Sequence, residues 1–486
     1  MGTFTYSDLM ALDLTRLDTA VTDWKTMAGR LAKLQTEVRD GLLEKSEGAR
    51  WQGVNATVTR DFVRSTAKEF GDLHAEAQSI HNVLADAYTE LSQIQKRAKQ
   101  LAEEARRGDP DRSPEPDPGL LVMDGEKGTV KVMEAVCDVK GTAQRTKDRM
   151  QWYADTLTGL VAHAAEIDAA ATRALRKSHG GDPHNAGHAS YTSLDEDQLP
   201  RAMKLASLGE DANDNQRAEL RRLWQSLSPQ ARGEMWAQHK DDLLAAGILA
   251  PQSKRMAADR GAGAYDIESP GAHDHWIQAQ ATAMANAGDF VGNTDAAAHM
   301  DHYLQGLGTP VDLDVDRMLT DDETLRQSAD YAIADEQERW RRQALEAFEE
   351  SGGRPVSIPV ETPPQSYTHT DRNWYLAVGS GMTNTTGVVT VVPGENGEPR
   401  VSLDYQVNVW DRYNWDPGKT TPIGPTEVTD ADMARLHTTG LAREFDMRGS
   451  GSVQHHDLSS SGALPEPVDP GRDGTRTDPG RNGDAR

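Results

Sequence analysis

From Leu14 to Leu42 apolar residues recur at spacings of three, four and seven: Leu14, Leu17, Val21, Trp24, Ala28, Leu31, Val38 and Leu42. Gln35 alone interrupts the seam. A heptad stripe of this kind predicts a long helix with one buried face. The pattern stops at Ser46-Glu47-Gly48 and resumes as Val63, Phe70, Leu73, Ala77, Ile80, Leu84, Ala87, Leu91, Ile94, Ala98 and Leu101. Two long helices joined by a short break predict an antiparallel hairpin. Neither stripe can bury itself alone, so each needs the other or a third helix.

Arg107 to Pro118 is a cluster of helix breakers. Two short apolar runs around Gly125 then read as a β-hairpin insertion near 119–133. A third heptad segment, Met150, Tyr153, Leu157, Leu160, Ala164, Ile167, Ala171 and Ala174, is expected to pack on the first two. Residues 1–178 therefore read as one long helical bundle. Residues 179–197, with Gly180-Gly181 and Pro183, have the composition of a linker. Residues 198–354 read as a helical middle region, with Ser228-Pro229 opening one helix. Another, over 315–351, is expected to be capped by Thr320-Asp321.

After Arg354 the period changes. Val356 to Val360, Trp374 to Val378 and Gly387 to Val392 are strand candidates. Val401, Leu403, Tyr405, Val407 and Val409 alternate with Ser402, Asp404, Gln406, Asn408 and Trp410, the pattern of a half-buried antiparallel strand. Thr429 to Asp432 has capping-box spacing and opens a short helix. Residues 355–449 thus form a small α+β domain with an antiparallel sheet. Residues 450–486, rich in Gly, Ser, Pro, Asp and Arg, are expected to be a disordered tail. The fold class is mostly α: an elongated helical bundle or coiled-coil hairpin, a helical middle region and an α+β C-terminal domain.

The chain has 486 residues and a net charge of −25, which speaks against coating a nucleic acid. Its one cysteine, Cys137, excludes a disulfide framework or a cysteine-based metal cluster within one chain. Cys137 lies in an apolar stretch and reads as core, not nucleophile. No apolar run approaches the roughly 18 residues of a membrane-spanning helix, so no integral membrane segment is expected. Met1 to Leu9 has neither the basic nor the apolar region of a classical signal peptide. Nothing in the chain points to a cofactor: Gly379 to Gly381 is neither a dinucleotide fingerprint nor a P-loop.

Three groups of residues carry candidate chemistry. His273, His275, His299 and His302 offer four imidazoles, the last two sharing a helix face at i and i+3, and could hold a metal. The alternative is four solvated polar positions near helix ends. Second, the string from Trp410 to Lys419 leaves the best strand with three aromatics, two aspartates, an arginine and a lysine. It is either a rigid strand-to-loop corner or a site. As a site, Asp411 would be a base or metal ligand, with Tyr413 beside it. Lys419 and Arg443 would hold phosphate and His437 would act as acid/base. Third, Trp51-Gln52-Gly53 lies at the turn between the long helices, where Gly permits a tight reversal and Trp fills the end of the bundle.

A long helix, Trp51-x-Gly53 at the turn and a second long helix resemble the WXG100 (ESX) family of helical hairpins exported by type VII secretion. The stretch resembles the leaders of larger actinobacterial substrates of that pathway. The resemblance implies a hairpin, often dimerised, that acts as the export determinant. It also implies a Tyr-x-x-x-Asp/Glu signal after the second helix. Here Tyr88 is followed by Ser92 and Tyr153 by Leu157, and the pattern occurs at Tyr331 and Asp335.

Residues 370–448 resemble a C-terminal module of actinobacterial polymorphic-toxin-like secreted proteins, which carries no established reaction. The matching segments are a Trp374-Tyr375 strand, a strand from Thr386 to Val391, then Asp411 to Asp416 and Gly440 to Asp446. A fainter similarity is to the catalytic segment of colicin-M-type lipid II hydrolases. Asp411 and Tyr413 match it, but Asn414 and Thr420-Thr421 stand where a second Asp and a His-Arg pair are needed.

Three functions follow as expectations. The first is a type VII-like secretion substrate or effector, whose partners are a WXG100-like helical protein or a second copy, and the secretion machinery. Its place would be outside the cell or in the envelope, or the cytoplasm if export fails. The second is a non-enzymatic helical scaffold. The third is an enzyme directed at an envelope or phosphate-containing substrate through the loop from Asp411 to Lys419.

Overall fold

The computed structural model describes residues 4–108, 118–134, 144–179, 190–251, 262–290, 292–394, 397–416, 428–459 and 464–467. Helix dominates, and a sheet of mainly antiparallel strands occupies the C-terminal part. The chain divides into two units, residues 1–142 with 153–248, and residues 143–152 with 249–486.

In the first unit α1 (Tyr6–Ala11) opens with a reciprocal cap between Thr5 and Asp8. Helix α2 (Thr15–Thr36) continues without a break into a π-helix (Glu37–Leu43) and α3 (Glu44–Gly48). After the turn, α4 (Val54–Arg107) runs for 54 residues. The contacts between the first and second long helices have antiparallel register. A Cβ at Gly71 would lie 3.1 Å from the Gln35 amide, His81 Nδ1 lies 3.2 Å from Val21 O, and Gln95 Nε2 donates to Leu9 O and Leu12 O.

Strands β1 (Leu120–Asp124) and β2 (Val130–Glu134) pair antiparallel. Helix α5 (Gln144–His179) then lies against α4, with Ser178 Oγ 2.8 Å from Ser79 Oγ and His163 Nε2 3.8 Å from Glu90 Oε2. Helices α6 (Asp195–Ala206), α7 (Asp214–Ser226) and α8 (Pro229–Ala245) complete the unit. Ser228 caps α8 through Ala231 N–H, with Pro229 at its first position.

Two halves of α4 differ in cover. From Ala77 onward its apolar stripe is buried, at Ile80, Val83, Ala87, Ile94, Ala98 and Leu101. Before Ala77 the seam positions Phe70, Val63 and Ala56 stay at least partly covered, whereas Leu73 on the seam and Phe62, Val58 and Val54 off it are exposed.

The second unit begins with α9 (Ala272–Phe290), α10 (Thr294–Leu304), β3 (Val311–Asp312), α11 (Val315–Asp321) and α12 (Glu323–Glu350). Then come β4 (Val356–Glu361), β5 (Gln365–Thr368), α13 (Arg372–Ala377), β6 (Ser380–Pro393) and β7 (Pro399–Tyr413). It ends with α14 (Asp430–Thr438), β8 (Phe445–Ser450) and β9 (Gln454–Asp457). The sheet order is β3-β8-β7-β6-β4, with β5 also paired to β6 and β9 to β7. Among the described residues only β3 and β8 run parallel.

Several expectations differ from the observed structure. The helical region expected over 198–354 is divided at 248, because Leu325, Ile333 and Trp340 share one core with Val389, Leu403, Val407 and Val409 of the sheet. Trp374 to Val378 is helical, not extended: the Asp371 side chain accepts from Trp374 N–H and starts α13 there. Asp322, not Thr320-Asp321, caps the long helix, and it separates α11 from α12. Strand β7 is buried on both faces, since Asp404 and Asn408 are as enclosed as the valines beside them. Within the expected tail, residues 450–459 are structured, since β9 pairs with Ser402 to Tyr405 and Leu458 is buried; residues 460–463 and 468–486 lie outside the described residues.

Candidate functional site

The expected catalytic residues are set by β7, α14 and the approach to β8. Asp411 and Tyr413 lie opposite Met447 and Phe445. The Tyr413 ring stacks on Phe445 with centroids 5.0 Å apart and meets Trp415 edge-on. Its hydroxyl lies 3.8 Å from Met300 Sδ, and burial pushes the phenol above its ordinary value. Tyr413 is therefore a core ring and not a proton donor to solute. Asp411 is half-buried. Burial, and after it the charge of Asp411, raises the Tyr367 phenol well above its usual range. Lys419 lies outside the described residues, as does Cys137.

His437 is held at both ring nitrogens. Glu444 N–H donates to Nδ1 at 3.2 Å, and Nε2 donates to Gly263 O at 3.1 Å. Glu444 is buried and accepts from Ala262 N–H at 2.9 Å and from Arg412 Nε and Nη2 at 3.4 Å. Its Oε2 stands 4.0 Å from His437 Nε2. The structure thus joins His437 to Glu444 and Arg412, two residues the sequence pattern did not single out. Arg443 is exposed, with its guanidinium 4.8 Å from the Tyr265 ring centroid and its N–H donating to Tyr303 O. A neutral imidazole fixed on two sides positions a loop; it has no free nitrogen for acid/base work.

The four histidines do not form a metal set. Among the described residues no group of three or more His, Cys, Asp or Glu is arranged to hold an ion. His299 Nδ1 donates to Ala377 O at 2.9 Å, and burial lowers its basicity. His302 Nε2 donates to Thr309 O at 2.9 Å, and its ring meets Phe445 edge-on. His273 stacks on Trp276 and lies 3.4 Å from Asp432 Oδ1, and His275 is exposed. The i, i+3 spacing is real, but each imidazole of α10 is turned to a backbone carbonyl.

A buried relay escaped the sequence reading. Tyr367 O–H donates to His369 Nε2 at 3.0 Å, and His369 Nδ1 donates to Asp322 Oδ2 at 2.9 Å. The side chains of His369 and Asp322 have no solvent exposure. Asp322 also accepts from the N–H groups of Thr324, Leu325, Thr370 and Asp371. Burial acts to raise its carboxyl, and the hydrogen bonds from Asp371, His369, Thr370 and Thr324 overcome that and hold it at about 2. Burial lowers His369, with Asp322 opposing. Forty-seven residues separate the acid from the imidazole, and no local spacing signals the pair.

A second polar network lies on the far face of the sheet. Asn408 Nδ2 donates to Asn384 Oδ1 and Thr386 Oγ1, and Asn384 Nδ2 donates to Glu361 Oε1. Gln406 Nε2 and Thr386 Oγ1 both donate to Leu249 O. These bonds explain how a strand can bury its polar residues.

The turn motif has a different character. Gly53 takes a left-handed φ of +108°, which suits glycine, and precedes α4. Arg60 ties the turn by donating to the carbonyls of Ser46, Ala49 and Trp51. Trp51 does not plug the bundle end: it is 47% exposed, beside Val54 at 80% and Phe62 at 69%. His299, His302 and His437 are bonded to backbone within the second unit, whereas Trp51, Val54 and Phe62 are exposed. No family model, curated protein or solved structure matches this chain.

Proposed function

We propose that this protein is a substrate or effector of a type VII-like secretion pathway. In this reading the first unit is a coiled-coil hairpin that docks a partner or the export machinery, and the second unit is the cargo. The observation that carries it is the set of exposed apolar residues Val54, Val58, Phe62 and Leu73 on α4, the helix that follows a turn built on Trp51 and Gly53. A helix face that stays apolar where its own chain leaves it open is suited to another helix. Among the described residues no helix is long and apolar enough to cross a membrane.

The scaffold reading draws on the same exposed residues and differs in destination. The enzyme reading gains nothing from His437, whose nitrogens are both bonded internally. The test is export from the native host with and without its type VII ATPase. ATPase-dependent appearance in the medium, lost on Trp51→Ala or Phe62→Glu with helicity intact, is the expected result. Retention in the cell under all conditions would leave the scaffold reading and remove the export one.

A further inference from the structure

We infer that residues 262–268 occupy, as an internal ligand, a docking groove for a short peptide on the second unit. The inference stands on that unit alone and goes beyond the export reading, whose success or failure does not touch it.

The groove is built by groups other than the segment that fills it. At the end of α14, Glu444 N–H donates to His437 Nδ1 at 3.2 Å, which fixes the tautomer and leaves Nε2 as a donor. The Glu444 side chain has no solvent exposure and is held by Arg412 of β7 at 3.4 Å. The carbonyl of Thr438, the last residue of α14, has no helical N–H ahead of it. One donor and two acceptors, all positioned by the body of the unit, match the polarity of a polypeptide backbone.

The segment meets them with its main chain. Ala262 N–H donates to Glu444 Oε1 at 2.9 Å, and Gly263 O accepts from His437 Nε2 at 3.1 Å. Asp266 N–H donates to His437 O at 3.2 Å, and the N–H groups of Ile267 and Glu268 donate to Thr438 O at 2.9 Å. Two side chains add to this. The Tyr265 ring lies 4.8 Å from the Arg443 guanidinium and 5.5 Å from the His437 ring, and Glu268 accepts from Arg435 Nη1 at 2.7 Å. Main-chain bonds supply affinity and the two side chains supply selectivity. The partner that fits is a peptide with an aromatic residue followed three positions later by an acid.

The segment is held lightly for the number of its bonds. Every residue from Gly263 to Glu268 is exposed, Ile267 at 64%, so little apolar area anchors it. Asp266 takes a left-handed φ of +55°, which is uncommon outside glycine. Solvent-exposed hydrogen bonds without apolar burial belong to the parts of a structure that open locally. Opening releases His437 Nε2, Glu444 Oε1 and the Arg443 guanidinium together, and the groove passes to a peptide of another molecule.

The test is read on the full chain in two ways. Under native conditions the amides of Asp266, Ile267 and Glu268 are expected to exchange at least about 100-fold faster than those of β7. A labelled synthetic peptide with the sequence of residues 262–269 is then titrated, by fluorescence anisotropy, into the wild type and into Tyr265→Ala/Glu268→Ala. Both substituted residues are exposed, so the fold is kept while the internal competitor is loosened. The variant is expected to bind the peptide at least about tenfold more tightly than the wild type, because a larger fraction of its grooves is open. Adding Arg443→Ala to the variant should weaken the peptide about threefold. Protection of the three amides equal to that of β7 overturns the inference, since the segment is then a fixed part of the fold. Equal peptide binding by wild type and variant overturns it too, as does a scrambled peptide that binds as tightly as the native one.

Discussion

Removal of the charge at Asp322 gives the sharpest energetic test of the second unit. Its carboxylate is fully enclosed, caps α12 and accepts from His369 and from the amides of Thr370 and Asp371. The acid sits at about 2 in the folded protein against an ordinary 3.8. With each tenfold change in acidity worth about 1.36 kcal/mol, the ionised form contributes about 2 kcal/mol. Because the folded value is the lower one, this stability is complete above about pH 4 and is lost as pH falls toward 2. Asp322→Asn cannot ionise and turns an amide group toward donors that need an acceptor. It should cost about 2–4 kcal/mol at pH 7. The assay is denaturant unfolding of the full chain from pH 2 to 7, with amide exchange at Thr370 and Asp371 identifying the transition of this unit. Wild type and variant should converge by about 2 kcal/mol between pH 4 and pH 2. Parallel profiles across that window would refute the assignment.

The first unit should respond to pH in the opposite sense at Asp86. Burial, with a smaller push from Asp195, raises this carboxyl to about 6 against the donated Leu194 N–H, so stability is full below about pH 4 and falls as pH rises through 6. Asp86→Asn keeps an acceptor for Leu194 and should raise stability at pH 7 by about 2 kcal/mol, read by thermal unfolding; an unchanged melting point would contradict it. In the sheet, a Cβ at Gly387 would stand 2.7 Å from Asp404 O and 3.0 Å from Leu403 Cδ1. Gly387→Ala should therefore destabilise the second unit by about 1–3 kcal/mol, and a neutral effect on unfolding would show that β6 and β7 can part at no cost.

The helical character was legible because burial follows the heptad positions: Ile80, Ile94, Ala98 and Leu101 are all enclosed. The alternation from Val401 to Val409 likewise marks a strand in an antiparallel ladder. What escaped depended on partners remote in sequence. Trp374 and Tyr375 favour a strand by propensity, yet one cap from Asp371 makes the segment helical. The residues of β9 have little to bury, and their backbone bonds to β7 decide their place. The imidazole of His437 has the chemistry of an acid/base, but Glu444 N–H and Gly263 O, which occupy its two nitrogens, are contributed by other segments. Pairs such as Asp322 and His369 are fixed by packing between elements, which a single sequence does not encode locally.

The seven-residue π-helix from Glu37 to Leu43 carries a consequence for descent. Its i→i+5 bonds accommodate one more residue than an α-helix would over the same path, as a single inserted residue does. Val38 inside it still faces inward, while Leu42 points to solvent. The stretch therefore acts as a phase shifter between the seam that α2 shares with α4 and the face shown near the turn. An ancestor or relative one residue shorter here could keep an unbroken α-helix and yet present a different face at its tip. Length variation at this one place could change a partner without altering any residue of the core.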